Sequence, residues 1–509
     1  MGDFDIVVLG GGTAGLHVAT EVARAAMSVA LVEPGLIGGE SPYLACLPSN
    51  SLLLSASRGE TWVQAVGHRD EVTSGLDDSL ATRQVEEAGV EVIRGTGRVV
   101  RPGAVEVAPL GPGEAVSLGY TDLVLAAGSE PVAPPIEGLP DIPAWTTAES
   151  LCSPDLPRRL IVLGGGPSGC ELAQIYAAFG SHVTLVETED RLLPNESAFT
   201  GEILAGALRR AGVEINLGSP AVKAERTQDG LTLALADGTR LEANRLLLAT
   251  GRRPRVSGLG VEALGITVSP GAALPITTTC QVAGAGPHVW AAGDVTGTGS
   301  THAGRYQAGV VAANITGGHR EADYSAIPRT VFTTPTVFAV GITPRGAADA
   351  GSGLVVARAV LADTARGRIT GEERGCLELY ADRRSGVLVG AAAVGPDAAA
   401  WMAEVTLAIR ARVPVRILAD VVHAFPTYGE ALAAALHELT ARTTHGEANR
   451  LSEMDMEAPE ADAIEQHQEV IDDEEDAAGT GPRSVPFDVD EADAAEQERS
   501  VGFDDDDYR

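Results

Sequence analysis

The segment Asp5-Ile6-Val7-Val8-Leu9-Gly10-Gly11-Gly12-Thr13-Ala14-Gly15 decides the fold of the first part of the chain. Here an apolar run ends in closely spaced glycines, and a helix-compatible stretch, Leu16 to Ala26, follows. A second apolar run, Ser28 to Val32, then ends at Glu33. This order of strand, glycine turn, helix, strand and terminal acid is typical of a dinucleotide-binding βαβ unit. It predicts an α/β fold whose first helix directs its N-terminus at a pyrophosphate.

The three spaced glycines have separate predicted roles. Gly10 makes the tight turn, Gly12 lets the backbone approach the pyrophosphate, and Gly15 lets the helix pack on the strand. Glu33 stands where an acid accepts hydrogen bonds from the adenosine ribose hydroxyls.

The same pattern returns in Gly164-Gly165-Gly166-Pro167-Ser168-Gly169, between a strand at Arg159 to Leu163 and a helix at Cys170 to Phe179. The next strand, His182 to Val186, ends at Glu187. Two fingerprints predict two dinucleotides, and an acid at Glu187 favours NAD over NADP because it repels a 2′-phosphate. The alternative interpretation is that Glu187 is simply a solvated strand end.

Composition excludes some kinds of protein. A chain of 509 residues should hold several domains. Its formal net charge of −33 argues against nucleic acid, which needs Lys and Arg to neutralise phosphates. No apolar run reaches the ~18 residues that span a bilayer. The N-terminus lacks a basic stretch, so we expect no signal peptide and no membrane insertion.

The five cysteines, Cys46, Cys152, Cys170, Cys280 and Cys376, are scattered without paired spacing. This favours a reducing cytoplasm over an oxidising compartment. None has metal-ligand spacing, so we predict no metal site.

Three further segments end apolar runs in glycine turns. Asp122 to Pro131 and Arg245 to Pro254 are near-copies, and Val289 to Val295 delivers Asp294 at its tip. Upstream, Gly38-Gly39-Glu40-Ser41-Pro42-Tyr43-Leu44-Ala45-Cys46-Leu47-Pro48-Ser49-Asn50 follows the first βαβ unit. Together and in this order, the segments resemble the pyridine nucleotide-disulfide oxidoreductases of the lipoamide dehydrogenase and mercuric reductase type.

The resemblance implies two Rossmann-type domains, a C-terminal α+β dimerisation domain and a homodimer. The expected ranges are an FAD-binding domain at 1–147 and 272–325, an inserted NAD-binding domain at 148–271, and the dimerisation domain at 326–445. Residues 446–509 form an acidic tail with roughly 23 acids against about 4 arginines, which we expect to be disordered. The tail either solubilises the protein or contacts a basic partner.

The resemblance also implies the site residues. Those expected to bind FAD are Gly10, Gly12, Gly15, Glu33, Gly39, Asn50, Gly97, Gly128, Asp294 and His302. Those expected to bind NAD are Gly164, Gly166, Gly169, Glu187, Gly251 and Arg252. The candidate catalytic residues are Cys46, Glu171, Phe425 and Glu430.

Three family positions differ in this chain. Disulfide reductases have a cysteine where Ser41 stands, a lysine at Asn50 and a histidine at Phe425. A serine cannot close a disulfide, so dithiol exchange at this helix is excluded. In relatives the lysine pairs with the glutamate that corresponds to Glu171. His423, two residues before Phe425, is a possible replacement for the missing histidine.

These differences predict an FAD-dependent NADH oxidoreductase that passes electrons from the flavin to a small acceptor such as a quinone. A planar acceptor is expected near Tyr43, Cys46 and the Phe425 of a second subunit. A carbonyl compound, a metal ion and oxygen stay open as acceptors. Cys46 is either a flavin-contacting thiol or a packing residue. The alternatives are a soluble transhydrogenase-like enzyme, a lipoamide dehydrogenase homologue, or a flavin-bound structural subunit without activity.

Overall fold

The computed structural model describes residues 2–343, 346, 348 and 351–442. The predicted disordered tail, residues 446–509, lies outside the described residues. Among the helices of the described part, none is both long and apolar enough to cross a membrane.

The chain up to residue 131 builds a sheet around the first glycine turn. Its strands and helices are β1 (Gly2–Leu9), α1 (Thr13–Arg24), β2 (Val29–Glu33), α2 (Glu40–Tyr43), α3 (Cys46–Ser57), α4 (Trp62–Val72), α5 (Ser79–Glu87), β3 (Val90–Arg101), β4 (Ala104–Pro109), β5 (Val116–Leu125) and β6 (Ser129–Pro131). β1 lies between β2 and β5 and runs parallel to both. β3 pairs in parallel with β2 and then turns antiparallel onto β4.

The next part repeats this design. Its elements are β7 (Trp145–Thr146), α6 (Thr147–Cys152), β8 (Arg159–Leu163), α7 (Pro167–Ala178), β9 (His182–Val186), α8 (Ala198–Arg210), β10 (Glu214–Asn216), β11 (Ala221–Thr227), β12 (Gly230–Leu235), β13 (Arg240–Ala243), β14 (Arg245–Leu248) and β15 (Arg252–Pro254). The parallel sheet has the order β10-β9-β8-β14-β7. β15 pairs antiparallel with β6 and so ties the two parts together.

The chain then returns to the first sheet. β16 (Val289–Ala291) pairs in parallel with β5, and α9 (Thr301–Ile315) packs against α1. Because the parallel strands β1, β5 and β16 end at one edge, the first glycine turn, Gly128 and Asp294 meet there.

The last part is an antiparallel sheet with helices on it. Its elements are β17 (Arg329–Val331), β18 (Thr336–Gly341), β19 (Leu354–Val360), α10 (Ala365–Thr370), β20 (Cys376–Asp382), β21 (Leu388–Gly395), α11 (Ala398–Trp401), α12 (Ala403–Arg410), α13 (Val415–Leu418) and a helix, α14, over residues 429–442. The strand order is β17-β18-β21-β20-β19. The predicted sheet followed by helices is confirmed.

The sequence located the elements well. The helix expected at Leu16 to Ala26 begins and ends slightly earlier, at Thr13–Arg24, because the helix starts directly after Gly12. The helix expected from Cys170 starts at Pro167, which is suited to a first helical turn because that position needs no N–H donor. Both predicted βαβ units, and with them the two Rossmann-type domains, are confirmed.

Candidate active site

A continuous cavity of about 1450 Å³ connects the two glycine turns. The helix N-termini at Thr13 and Pro167 both border it, so each end presents backbone N–H groups to a phosphate. Most of the predicted site residues border it as well: Gly12, Glu33, Gly39, Cys46, Asn50, Gly128, Gly164, Gly166, Glu171, Glu187, Gly251, Arg252, Asp294 and His302.

The first and third glycines of each fingerprint hold the turn. A Cβ on Gly10 would lie 2.2 Å from the Ala126 carbonyl oxygen, and one on Gly15 would lie 1.9 Å from the Gly10 oxygen. Gly164 and Gly169 meet the equivalent obstacles, at 2.3 Å and 1.9 Å. Neither turn therefore leaves room for any side chain at these positions.

The middle glycines face open space instead. A Cβ on Gly166 would meet nothing within 4 Å, and one on Gly12 would meet only the Cα of Gly39 at 4.0 Å. Both border the cavity, so the space that the missing side chains leave is open to a bound group. This arrangement fits a dinucleotide pyrophosphate at each turn.

The acid at the end of each strand accepts a hydrogen bond from its own glycine turn. Glu33 accepts hydrogen bonds from the N–H groups of Gly11 and Gly35, both at 2.6 Å. Glu187 accepts bonds from Gly165, at 2.5 Å, and from Glu189, at 2.9 Å. Since Glu187 is only 8% exposed, the alternative of a solvated strand end is wrong. Each carboxylate keeps lone pairs for ribose hydroxyls.

The helix that carries the family's redox residues is interrupted between α2 and α3. Ser41 lies on α2, and Cys46 begins α3 as an exposed thiol. The hydroxyl of Thr301, the first residue of α9, donates a hydrogen bond to Ser41 Oγ at 3.3 Å and lies 3.7 Å from Cys46 Sγ. All five cysteines of the chain are free thiols. Thr301 was not predicted, and no local signal marks it.

Asn50 and Glu171 do not bond to each other. The Asn50 amide donates to the Cys46 carbonyl oxygen at 2.9 Å, one turn back on α3. Glu171 accepts the N–H of Phe332 at 2.8 Å. Burial raises the pKa of the Glu171 carboxyl, and hydrogen bonds from the Phe332 N–H and the Ser49 hydroxyl oppose that rise.

Arg252 bonds to two side chains of the first part of the chain. Its guanidinium donates to Glu40 Oε2 at 2.6 Å and to Ser129 Oγ at 2.7 Å. Ser129 in turn donates to Asp294 Oδ2 at 2.7 Å. β15, which carries Arg252, pairs with β6 and so brings the arginine to these two side chains; its role in NAD binding stays a prediction.

His302 is tied to the backbone at the start of α9. Its Nε2 lies 2.7 Å from the Pro328 carbonyl oxygen. A carbonyl can only accept, so this nitrogen carries a hydrogen.

Gly97 and Tyr43 do not border the cavity. Gly97 lies on β3, where a Cβ would sit 2.5 Å from Leu9 Cδ2, and its role in FAD binding stays a prediction. The side chain of Tyr43 is buried under Gly38, with the Asp77 and Asp78 carboxylates nearby.

Phe425 and Glu430 lie outside the cavity of their own protomer. Phe425 is 76% exposed. Glu430 accepts the N–H groups of Thr427, at 3.2 Å, and Ala365, at 3.1 Å. His423 lies 3.2 Å from Glu404 through its Nε2, and its Nδ1 is buried without a partner among the described residues. The His423 ring is thus directed into its own domain.

Across the described residues, no group of three or more His, Cys, Asp and Glu side chains is arranged to hold a metal ion. The cavity instead combines backbone N–H and hydroxyl donors with carboxylate acceptors, which suit dinucleotides.

Comparison with known proteins agrees with this geometry. Residues 4–314 match the family described as pyridine nucleotide-disulphide oxidoreductase, and residues 327–436 match its dimerisation domain. Residues 445–509 match the Mycobacterium Rv3202A family.

Individual relatives cover nearly the whole of the described chain. Dihydrolipoyl dehydrogenase from Thermus scotoductus is 31% identical over 470 residues, which cover 87% of this chain and 99% of the relative. Mercuric reductase from Acidithiobacillus ferrooxidans is 31% identical over 458 residues, covering 86% of this chain and 83% of the relative.

Solved structures are similar too. The Cu(II) complex of the HOCl-induced flavoprotein disulfide reductase RclA from Escherichia coli superposes with a TM-score of 0.77 at 26% identity, covering 87% of this chain and 99% of that one. LpdA from Mycobacterium tuberculosis also gives 0.77 at 26%, covering 86% and 100%. The chain therefore belongs to the pyridine nucleotide-disulphide oxidoreductase family, an FAD- and NAD(H)-using family of oxidoreductases.

Proposed function

We propose that this protein oxidises NADH and passes the electrons from FAD directly to a small acceptor such as a quinone, without disulfide chemistry. The observation that carries the proposal is the group formed by Ser41, Thr301 and Cys46, in which the Thr301 hydroxyl lies between a single thiol and a serine hydroxyl. A disulfide needs a second sulfur within about 2 Å, and a serine oxygen cannot supply it.

When bound, FAD supplies the chemistry: it accepts a hydride from NADH and yields two electrons to an acceptor. The chain supplies binding and orientation. The two glycine turns hold the pyrophosphates, and the hydroxyl of Ser129 and the carboxylate of Asp294 form a polar wall between them. The overall conversion is NADH, a proton and a quinone to NAD⁺ and a hydroquinone.

Preference for NADH rests on Glu187. Its carboxylate is buried at the end of β9 and borders the cavity, where a 2′-phosphate would meet a like charge. Three hydrogen bonds, from Gly165, Thr188 and Glu189, hold it there, so it cannot swing away at little cost.

The position at which the family has its acid–base histidine is Phe425 in this chain. In our proposal two protomers associate through the dimerisation domain, and the exposed Phe425 of one covers the thiol end of the cavity in the other. An aromatic ring there suits a flat acceptor and offers no proton exchange with a thiol.

The first experiment is anaerobic addition of NADH to the yellow holoprotein, where bleaching of the flavin separates an enzyme from an inactive flavin-bound subunit. A steady-state screen with NADH follows, comparing naphthoquinones with lipoamide, glutathione disulfide, mercuric ion and cupric ion. We expect turnover with naphthoquinones and background rates with both disulfides. Cupric ion is included because similar solved structures are Cu(II) complexes.

Two variants sharpen the screen. Cys46→Ser should retain quinone reduction within about tenfold, or about 1.4 kcal/mol of barrier. Ser41→Cys combined with Phe425→His is the matched gain-of-function control for disulfide reduction. Strong lipoamide reduction by the unmodified protein would refute the proposal, as would loss of quinone turnover by several orders of magnitude in Cys46→Ser with FAD retained.

A further inference from the structure

The segment between β9 and α8, residues 188–197, forms one wall of the cavity at the second glycine turn. Thr188 and residues 193–196 border the cavity. The N–H of Leu193 donates to the Gly165 carbonyl oxygen at 3.0 Å, so the segment is bonded to the turn itself. The position of this segment therefore helps to set the shape of the second dinucleotide site.

The dimerisation domain holds the segment through an ion pair. Arg329, the first residue of β17, donates from Nε to Glu196 Oε1 at 2.7 Å and from Nη2 to Glu196 Oε2 at 3.0 Å. Its Nη1 donates to the Gly341 carbonyl oxygen at 3.1 Å, which anchors the guanidinium on β18. Two parallel bonds of this kind are the strongest arrangement of an arginine with a carboxylate. The two side chains are 34% and 13% exposed, so solvent screens this pair less than a pair on the open surface.

A second contact from the same sheet acts on the next residue. Tyr380 of β20 donates its single hydroxyl hydrogen to Glu378 Oε2 at 2.7 Å. Its oxygen lies 2.7 Å from Ser197 Oγ, so in this bond the serine donates and the tyrosine accepts. Ser197 is the N-cap of α8, where a serine side chain usually accepts a helical N–H, yet it makes no such bond. Its hydroxyl connects the segment to the sheet instead.

The middle of the segment is held independently of these two contacts. Leu192 and Leu193 are buried in the core. Arg191 donates to the Pro194 carbonyl oxygen at 2.9 Å, a bond that lies within the segment. Loss of the ion pair should therefore displace the end of the segment at the cavity without unfolding the domain.

We propose that Arg329 and Tyr380 are positioning residues for NADH. From the dimerisation domain, they hold residues 193–197 in the place that lets the second glycine turn accept the dinucleotide. This inference rests on the proposed function, which places NADH at that turn. Neither side chain needs to touch the dinucleotide, because each acts through the segment. The second site is then completed by a part of the chain outside its own βαβ unit.

The test is a calorimetric titration of NAD⁺ into the oxidised, FAD-bound protein, in which no electrons are transferred. Arg329→Met keeps the length of the side chain but removes the ion pair, and Glu196→Ala removes it from the other side. If the released segment occupies its place for about a tenth of the time, each variant should bind NAD⁺ roughly tenfold more weakly. The double variant should bind no more weakly than either single variant, because all three lack the same interaction.

Three further variants complete the comparison. Arg329→Lys keeps the charge but not the paired bonds, so its NAD⁺ affinity should lie between those of wild type and Arg329→Met. Tyr380→Phe removes one bond between neutral groups and should weaken NAD⁺ by a smaller factor. Arg410→Met is the matched control: it breaks the 3.0 Å ion pair between α12 and Asp323, neither of whose side chains borders the cavity. Its NAD⁺ affinity should equal that of wild type.

Two other measurements separate positioning from a general loss of structure. Retention of FAD and the thermal unfolding temperature report the fold of each variant. In anaerobic flavin reduction, the rate at saturating NADH should stay near that of wild type, while the NADH concentration that gives half this rate should rise roughly tenfold. Should Arg329→Met not fold, Glu196→Ala and Arg329→Lys provide the same comparison.

Wild-type NAD⁺ affinity in Arg329→Met or Glu196→Ala would overturn the inference. Tighter binding in Glu196→Ala, or effects that multiply in the double variant, would also overturn it, because the two side chains would then act separately on the dinucleotide. NAD⁺ binding needs no acceptor. The expected affinity losses together with a failed quinone screen would therefore refute the proposed function and support the inference.

Discussion

The replacement Gly166→Ala separates binding from stability at the second glycine turn. Gly166 has φ −74° and ψ −175°, extended backbone that alanine adopts freely, and a Cβ there meets no protein atom within 4 Å. The folded protein should therefore be as stable as wild type, or more stable by about 0.4–1 kcal/mol because the unfolded chain loses freedom.

The same methyl group would occupy the space in which we propose that the pyrophosphate of NADH lies. Losing one charge-assisted hydrogen bond from the backbone costs about 1.5–3 kcal/mol. At about 1.4 kcal/mol for each factor of ten, NADH should bind roughly 10- to 100-fold more weakly. FAD should stay bound, since its own turn, at Gly12, is untouched.

The assay is an anaerobic NADH titration of the flavin absorbance, accompanied by thermal unfolding of the same samples. Gly67→Ala, at an exposed position in the middle of α4, is the matched control. Nothing lies within 4 Å of the added Cβ, so the free energy of unfolding should rise by about 0.5–1 kcal/mol without a change in NADH affinity. Gly164→Ala is the contrasting variant. Residue 164 has φ +106°, and the added Cβ would lie 2.3 Å from the Ala249 oxygen, so this variant should unfold at a markedly lower temperature. Wild-type NADH affinity in Gly166→Ala would refute this placement of the dinucleotide.

Three further predictions follow from individual contacts. Glu187→Ala should lower kcat/KM for NADH more than kcat/KM for NADPH, so the ratio of the two values should fall. A wild type that already prefers NADPH would contradict our assignment of Glu187. Arg252→Ala removes the shorter of the two ion pairs of Glu40 and leaves only Arg255, at 3.9 Å, so FAD should dissociate more readily in equilibrium dialysis, and adding Glu40→Gln should restore retention. Because burial raises the pKa of Glu171, its neutral form favours the folded state, and this contribution is complete below the unfolded pKa of about 4.3 and lost as pH rises through the folded pKa. As pH rises through that window, wild type should lose stability and Glu171→Gln should not. The free energy of unfolding of the variant minus that of wild type, measured by urea denaturation, should therefore increase. A difference that stays constant with pH would show that Glu171 does not titrate there.

The sequence by itself determined the two βαβ units and their cofactors, because that information is local. A short strand, three glycines at fixed spacing and a terminal acid all act within about 30 residues. Gly10, Gly164 and their partners thus stand where the pattern placed them. The serine at position 41, on which the proposed absence of disulfide chemistry depends, was equally a local feature.

Only the tertiary structure decided which distant groups meet. Thr301 joins Ser41 and Cys46 from 260 and 255 positions away, Arg252 reaches Glu40 across 212, and the backbone of Phe332 meets Glu171 across 161. No periodicity records such contacts, since they depend on how β6 pairs with β15 and how α9 returns to the first sheet. The same reason applies to Gly97 and Tyr43, which stand next to site residues along the chain or in the sheet but pack against Leu9 and under Gly38, away from the cavity lining.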